Sequence, residues 1–338
     1  MTLNKRSAAR AADGETAIQP QPEAEGPAAA LRSDSAPRSA TVPPTPAGAR
    51  AAAVEVPTAV ARPRVSRRLT RPADDCAREG LLKGKKALVF GVANDHSIAW
   101  GIAKALYDQG AEVGFSSMAS LIKRRVRPLA ASIGSTFVEA ADVRDDDEIR
   151  KVFEHWHAKE GDLDILVHAV AFAEREDLDG HFTDISRSGF HTAFDVSVYS
   201  LIAMARQARP YMKPGSSIMT MTYYAAEKVV PNYNVMGVAK AALEATTRYL
   251  AADLGPSGIR VNAISAGPVR TLSAHGIAGF RTMYGGFKEI APLRSHISIE
   301  DVGNTAVYLA SPLSSQTTGE VIYVDGGFNI LALPVAEG

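Results

Sequence analysis

The chain has 338 residues, and its 37 Lys and Arg are balanced by 37 Asp and Glu. That neutrality argues against a nucleic-acid binder, and no run nears the roughly 20 apolar residues of a membrane-spanning helix. The one cysteine, Cys76, lies outside the globular part, which rules out an intrachain disulfide, a thiolate zinc site or a catalytic thiol there.

Residues 1–80 are rich in Ala, Pro and Arg, with 12 basic and 9 acidic residues and no sustained apolar run. Such a segment cannot bury enough apolar area to offset the entropy of ordering, so a disordered extension is expected. "MTLNKRSAARAA" suits organellar import, but Glu15, Glu23 and Glu25 follow, and transit peptides avoid acids. A cytoplasmic protein is therefore expected, with import through the extension as the alternative. Residues 81–338 have the composition of one α/β domain with a sizeable core.

"KALVFGVA" (86–93) reads as a buried strand running into a turn. "SIAWGIAKALYDQG" (97–110) reads as a helix with Ile98, Ile102, Ala105 and Leu106 as its apolar side and Gly110 as its stop. "AEVGF" is a second strand and "LIKRRVRPLAASIG" a second helix. "TFVEAADV" is a third strand, ending at Asp142. "DEIRKVFEHWHAKEG" is helical; His155 and His157 leave it on different faces, so no metal site is expected. "LDILVHAVAF" is a fourth strand. A helix over about 187–213 leads to "SSIMTMTYY", a helix over 234–254 to "IRVNAISAGPV", and "GEVIYVDGG" closes the series. Apolar strands alternating with helices predict a single Rossmann-like, doubly wound parallel sheet, whose ligands sit beyond the carboxyl ends of its strands.

"GVANDHSIAWG" lies at such an end. It lacks G-x-G-x-x-G; Gly91 and Gly101 frame a longer turn. Gly91 permits the tight exit, and Ser97 with the amides of Ser97 and Ile98 stands where a helix N-terminus can hold a pyrophosphate. Ser97 as a mere helix cap is the plainer reading. Asp142, beside Val143, is placed to accept from an adenine amino group. The second strand ends without an acid for the ribose, with Met118 in that region. Lys123, Arg124 and Arg125 suit either a 2′-phosphate or a solvated helix face, leaving NADH and NADPH open.

The reacting end is "TYYAAEKVVPNYNVMGVAK". Seven residues are close to two helical turns, so Tyr233 and Lys240 should share one face. A phenol there can donate to a carbonyl oxygen that gains charge, and an ammonium beside it should lower its pKa. The Y-x-x-x-K of common short-chain dehydrogenases would need tyrosine at 236, where this chain has Met236. Tyr223 stands where such enzymes carry an assisting hydroxyl, and Tyr224 should point the other way along the strand and pack.

With Y-x6-K and its upstream tyrosine, the stretches "GVANDHSIAWGIA", "PNYNVMGVAKAALEA", "RVNAISAGPVRTL", "IEDVGN" and "GEVIYVDGGF" resemble the enoyl-acyl-carrier-protein reductases, divergent short-chain dehydrogenases of fatty-acid elongation. The resemblance runs from about Gly84 to Ile330. It implies NAD(P)H-dependent reduction of a trans-2-enoyl thioester, with hydride going to the β-carbon and Tyr233 stabilising the enolate. It further implies Tyr223 as the partner of Tyr233 and Lys240 as the ribose ligand. Gly91, Ser97, Ile98, Met118, Asp142, Val143 and Val170 would line the cofactor. So would Val269, Arg270, Thr271, Leu272 and Ser273, with Thr271 at the pyrophosphate and Val269 at the nicotinamide amide. Ala173, Tyr223, Tyr233, Phe280 and Met283 would meet substrate, the last two with Ile277 from an apolar lid over 271–290. The implied partners are enoyl-acyl carrier protein and further copies of the chain in a homotetramer, which "VDGGFNILALPV" resembles a tail for. Ala169 and Ala171 stand where the family has serine and glycine, and Ala278 and Thr282 stand where its lid is basic, leaving Arg281 among those positions.

Overall fold

Strands apolar on both faces need helices above and below them, and the chain supplies both. The computed structural model describes residues 80–332; the expectation for the segment before them lies outside the described residues. Seven strands form one parallel sheet: β1 (Lys86–Phe90), β2 (Glu112–Ser117), β3 (Val138–Ala140), β4 (Leu163–His168), β5 (Met212–Thr222), β6 (Arg260–Ala266) and β7 (Val321–Val324). Their order is β3-β2-β1-β4-β5-β6-β7. Chain direction across the sheet reverses between β1 and β4, which opens a crevice at their carboxyl ends.

The helices are α1 (Ile98–Asp108), α2 (Ala119–Leu121), α3 (Arg127–Ser132), α4 (Asp146–Glu160), α5 (Arg187–Phe194), α6 (Ser200–Ala208), α7 (Asn234–Leu254), α8 (Phe280–Ile290) and α9 (Ile299–Ala310). π-helical turns at Ile122–Val126 and Asp195–Tyr199 join α2 to α3 and α5 to α6. One core lies between the sheet and α1 with α9, where Ile102, Leu106, Val302 and Leu309 are buried. The other holds Phe153, Trp156, Leu201, Met204 and Leu243 from α4, α6 and α7. Trp156 meets Phe137 edge-on at 5.0 Å, and each such buried side chain contributes about 1.5–3 kcal/mol. Helices α1 and α9 touch through glycine: a Cβ on Gly303 would stand 2.7 Å from the Gly101 carbonyl oxygen.

The expected strands are present, but three boundaries moved. The helix drawn to 213 ends at Ala208, because Pro210 forces a 3₁₀ turn, Arg209–Tyr211. β5 therefore starts early, at Met212, and its register against β4 shifts between Leu163 and Ile165. β5 also stops at Thr222, so Tyr224 opens a 3₁₀ turn instead of ending a strand. It packs all the same: its ring meets Phe328 edge-on and its hydroxyl donates to the Asn329 carbonyl at 3.2 Å. On α4, His157 stacks on Tyr211, while His155 lies 4.0 Å from Glu139. No described helix is long and apolar enough to cross a membrane.

Candidate active site

A cavity of about 450 Å³ opens at the carboxyl ends of β1, β4, β5 and β6. Its fixed wall is the β1–α1 turn. Gly91 has φ +99°, and a Cβ there would collide with the Ala169 carbonyl; only glycine lets β1 leave the sheet this close to β4. Ser97 occupies the N-cap position of α1, yet its side chain makes no capping bond. Its hydroxyl donates to the Asn94 carbonyl at 2.5 Å instead. The plain capping role is thus not how this serine is used. An uncapped helix start beside a glycine turn is a cradle for a pyrophosphate, so these residues fit a dinucleotide.

Opposite the turn stand the two tyrosines and the lysine. "VPNY" forms a β-turn closed by the Tyr233 amide on the Val230 carbonyl at 3.3 Å. Proline at its second position and Asn232 with φ 61° at its third give it the type II form. Tyr233 follows as the N-cap residue of α7, and Lys240 sits two turns further on. Both line the cavity, as does Tyr223 from the end of β5. The tyrosine rings meet edge-on, 5.1 Å between centroids.

Burial, with the second phenol nearby, pushes the Tyr233 pKa above its ordinary value. Burial raises Tyr223 to about 12. The expectation of a lowered phenol pKa is therefore corrected: desolvation dominates, and the Lys240 ammonium is aimed elsewhere. Its Nζ donates to the Met221 carbonyl at 2.7 Å. Burial brings Lys240 down to about 8, partly offset by Glu244 one turn along α7. Glu244 is itself raised by burial and accepts from Thr222 Oγ1 at 2.7 Å. Behind this group, His168 is fully enclosed, 2.8 Å from both Thr220 Oγ1 and Ser200 Oγ. Ser200 spends its proton on the Val196 carbonyl at 2.7 Å, so the histidine carries hydrogen on Nε2 and accepts on Nδ1. Burial, then Lys240, drops its pKa to about 3.

The remaining wall is segment 271–290, read from sequence as a loop. It contains a 3₁₀ turn, Ser273–Gly276, and then α8. Thr271, Leu272, Ile277, Phe280 and Met283 face the cavity, and the Tyr223 hydroxyl donates to Met283 Sδ at 3.5 Å.

A family model described as enoyl-(acyl carrier protein) reductase matches residues 91–329. This chain belongs to that family. It is 50% identical over 258 residues to enoyl-[acyl-carrier-protein] reductase [NADH] 1 of Rhizobium meliloti, a match covering 76% of this chain and 95% of the relative. It is 48% identical to the FabI enoyl-[acyl-carrier-protein] reductase [NADH] of a Synechocystis species, covering 75% and 99%. Among solved structures, the Bacillus cereus enoyl-acyl carrier protein reductase with NADP+ and indole naphthyridinone is similar at TM-score 0.74 and 49% identity. That match covers 75% of this chain and all of the other. The Anaplasma phagocytophilum enzyme in complex with NAD matches at TM-score 0.74 and 47% identity, covering 76% and 98%.

Of the residues the enoyl reductase resemblance pointed to, Gly91, Ser97, Ile98, Ala173, Tyr223, Tyr233, Lys240, Val269, Thr271, Leu272, Phe280 and Met283 line this one cavity. Met118, Asp142, Val143, Val170 and Arg270 do not. Asp142 is held by Arg144, its carboxylate 2.5 Å from Nη2, which keeps its pKa below the usual range. Val143 is core. Met118 is exposed just past β2, and Val170 packs against the second core. Arg270 lies over the Tyr284 ring at 4.4 Å, and that ring stacks on His296 at 4.0 Å. Of Ser273 only the backbone is described. Sequence reading passed over Leu178, Arg175 and Val230 as lining residues. The loop of Arg175 and Leu178 carries no motif, and Val230 opens the turn before Tyr233 as an apolar residue with no chemistry of its own, so only the fold brings them in. Met236 also lines the cavity, buried, with Ser197 Oγ 3.8 Å from its sulfur.

Proposed function

We propose that the chain reduces the trans-2 double bond of an enoyl thioester on acyl carrier protein, using NADH, with Tyr233 as donor at the thioester carbonyl. What carries this reading is that Tyr233, Tyr223 and Lys240 line the same cavity as the Gly91 turn and the uncapped start of α1. Gly91, Ser97 and Ile98 would hold the pyrophosphate, with Thr271 across from them. Lys240 would hold the ribose hydroxyls. NADH, when bound, supplies the hydride that reduces the β-carbon.

The protein's share is electrostatic. As the β-carbon is reduced, negative charge gathers on the thioester oxygen, and a phenol held in place there stabilises it without reorganising. The raised pKa of Tyr233 suits this work, since the hydroxyl keeps its proton throughout the neutral range. Tyr223 fixes the ring edge-on. The apolar side chains of Phe280, Met283 and Ile277 would receive the acyl chain. Met236 fills the position of the keto-reductase tyrosine, which favours an enoyl over a ketone substrate.

Tyr233→Phe should lower kcat by about 10²-fold or more while NADH affinity stays within about twofold. Undiminished turnover would overturn the role of Tyr233. The same reading makes the enzyme a cytoplasmic homotetramer. Phe190, stacked on Phe194, and Tyr249 each stand exposed, side chains that subunit contacts would cover. Light scattering would measure the assembly.

A further inference from the structure

Among the described residues, three other than glycine have φ in the left-handed region: Asn232 (61°), Asn234 (25°) and Arg294 (51°). Two of the three flank Tyr233. Backbone of this kind is unfavourable for most L-residues and is kept where surrounding structure requires it. Asparagine tolerates it best and has an amide to use. Each of these amides is in use. Asn232 Nδ2 donates to the Ala278 carbonyl at 2.9 Å, reaching the loop that leads into α8. Asn234 Nδ2 reaches the opposite way, to the carbonyls of Asp179 and Gly180 at 3.4 and 3.3 Å. Those two loops carry cavity-lining residues: Ile277 and Phe280 on one side, Leu178 on the other.

The Asn232 contact joins two turns. On the far side Gly279 also has positive φ, 76°, and is the N-cap residue of α8. A Cβ on Gly279 would lie 3.5 Å from Asn232 Nδ2, an ordinary contact, so the glycine is there for its backbone and not for space. The turn that delivers the Tyr233 hydroxyl thus also anchors the start of the apolar wall by one side-chain hydrogen bond.

We propose that Asn232 is a positioning residue with two separable duties. Its backbone sets the type II turn that places Tyr233, and its side chain fixes the 277–280 wall against which a long acyl chain lies. This rests on the reading of Tyr233 as donor and of the cavity as the enoyl site. A short acyl chain ends before that wall and depends on the first duty alone. A long one depends on both.

Three variants separate the duties, assayed with purified enzyme, NADH and enoyl thioesters of four and twelve carbons. Asn232→Gly keeps the turn, since glycine adopts positive φ freely, and loses the amide. It should leave kcat and KM for the four-carbon substrate within about twofold. KM for the twelve-carbon substrate should rise roughly 3- to 10-fold, the worth of one net hydrogen bond. Asn232→Ala strains the turn as well and should lower kcat for both substrates. Asn232→Asp tolerates the turn but faces a carbonyl with a carboxylate, and should follow the glycine variant in its KM split. Equal effects of Asn232→Gly on both chain lengths, or no effect on either, would overturn the proposal. Tyr233→Phe is measured alongside. If it retains full turnover, the reading of the site has failed; if it is impaired while Asn232→Gly shows no split, only the role of Asn232 has.

Discussion

The β1–α1 turn and segment 271–290 both wall the cavity and hold their side chains by different means. The turn is fixed by backbone: Gly91 is pressed against the Ala169 carbonyl, and the Gly91 amide donates to the Ser116 carbonyl at 3.2 Å. Segment 271–290 is held by side chains, among them the Asn232 amide and the Arg270–Tyr284–His296 stack. Leu272 in it is half exposed at 52%. A wall set by main-chain contact can offer a cofactor one geometry. A wall set by a few side-chain contacts can adapt to acyl chains of different length.

Substitutions on the two sides should therefore fail differently. Gly91→Ala should be the most damaging, costing about 2–4 kcal/mol in urea unfolding, because the methyl meets backbone that cannot yield and φ is wrong. A smaller cost would mean the fixed wall has more give than its contacts imply. His168, bonded to Thr220 on β5 and Ser200 on α6, ties the sheet to its helices behind the tyrosines. Unfolded, it takes a proton below its ordinary value of 6.5; folded, only near 3. Stability should thus fall as pH drops through that window, by up to about 1.4 kcal/mol per pH unit, and His168→Gln should flatten the slope in acid unfolding curves. Lys240 titrates the other way into the working range. Its ammonium is present below about 8, so NADH affinity should weaken severalfold between pH 7 and 9. Lys240→Met should bind NADH about tenfold less tightly at pH 7 and lose that dependence; titration by fluorescence would measure both. The smallest effect belongs to the adaptable wall. Leu272→Ala should change stability by less than about 0.5 kcal/mol while KM for NADH rises roughly threefold.

The same contrast explains what could be read from the sequence. Backbone-determined features have local signals: apolar runs gave the strands, and "PNYNVMGVAK" carried the tyrosine, the lysine and the turn chemistry between proline and asparagine. Segment 271–290 hid α8 behind Gly279, Gly285 and Gly286, although Phe280, Met283, Tyr284 and Phe287 recur at i, i+3, i+4 and i+7, the period of an amphipathic helix. The start of α9 was legible but passed over: "SIED" is a capping box, with Ser298 Oγ accepting from the Asp301 amide at 3.2 Å. The direction of the tyrosine pKa was misjudged because spacing gives proximity along a helix and says nothing about which carbonyl an ammonium will choose. Asp142 was read as an adenine acceptor because it ends a strand; what the strand pattern did not reveal is that Arg144, two residues on, also binds its carboxylate.

Gly101 and Gly303 lie away from the cavity, yet they set the distance at which α1 crosses α9. Where two backbones touch with nothing between them there is no slack to absorb an added methyl. A substitution library would score these positions as intolerant, as though they met a ligand. The smallest change available at either one should act at a distance, by tilting the helix whose first amides face the cofactor cradle.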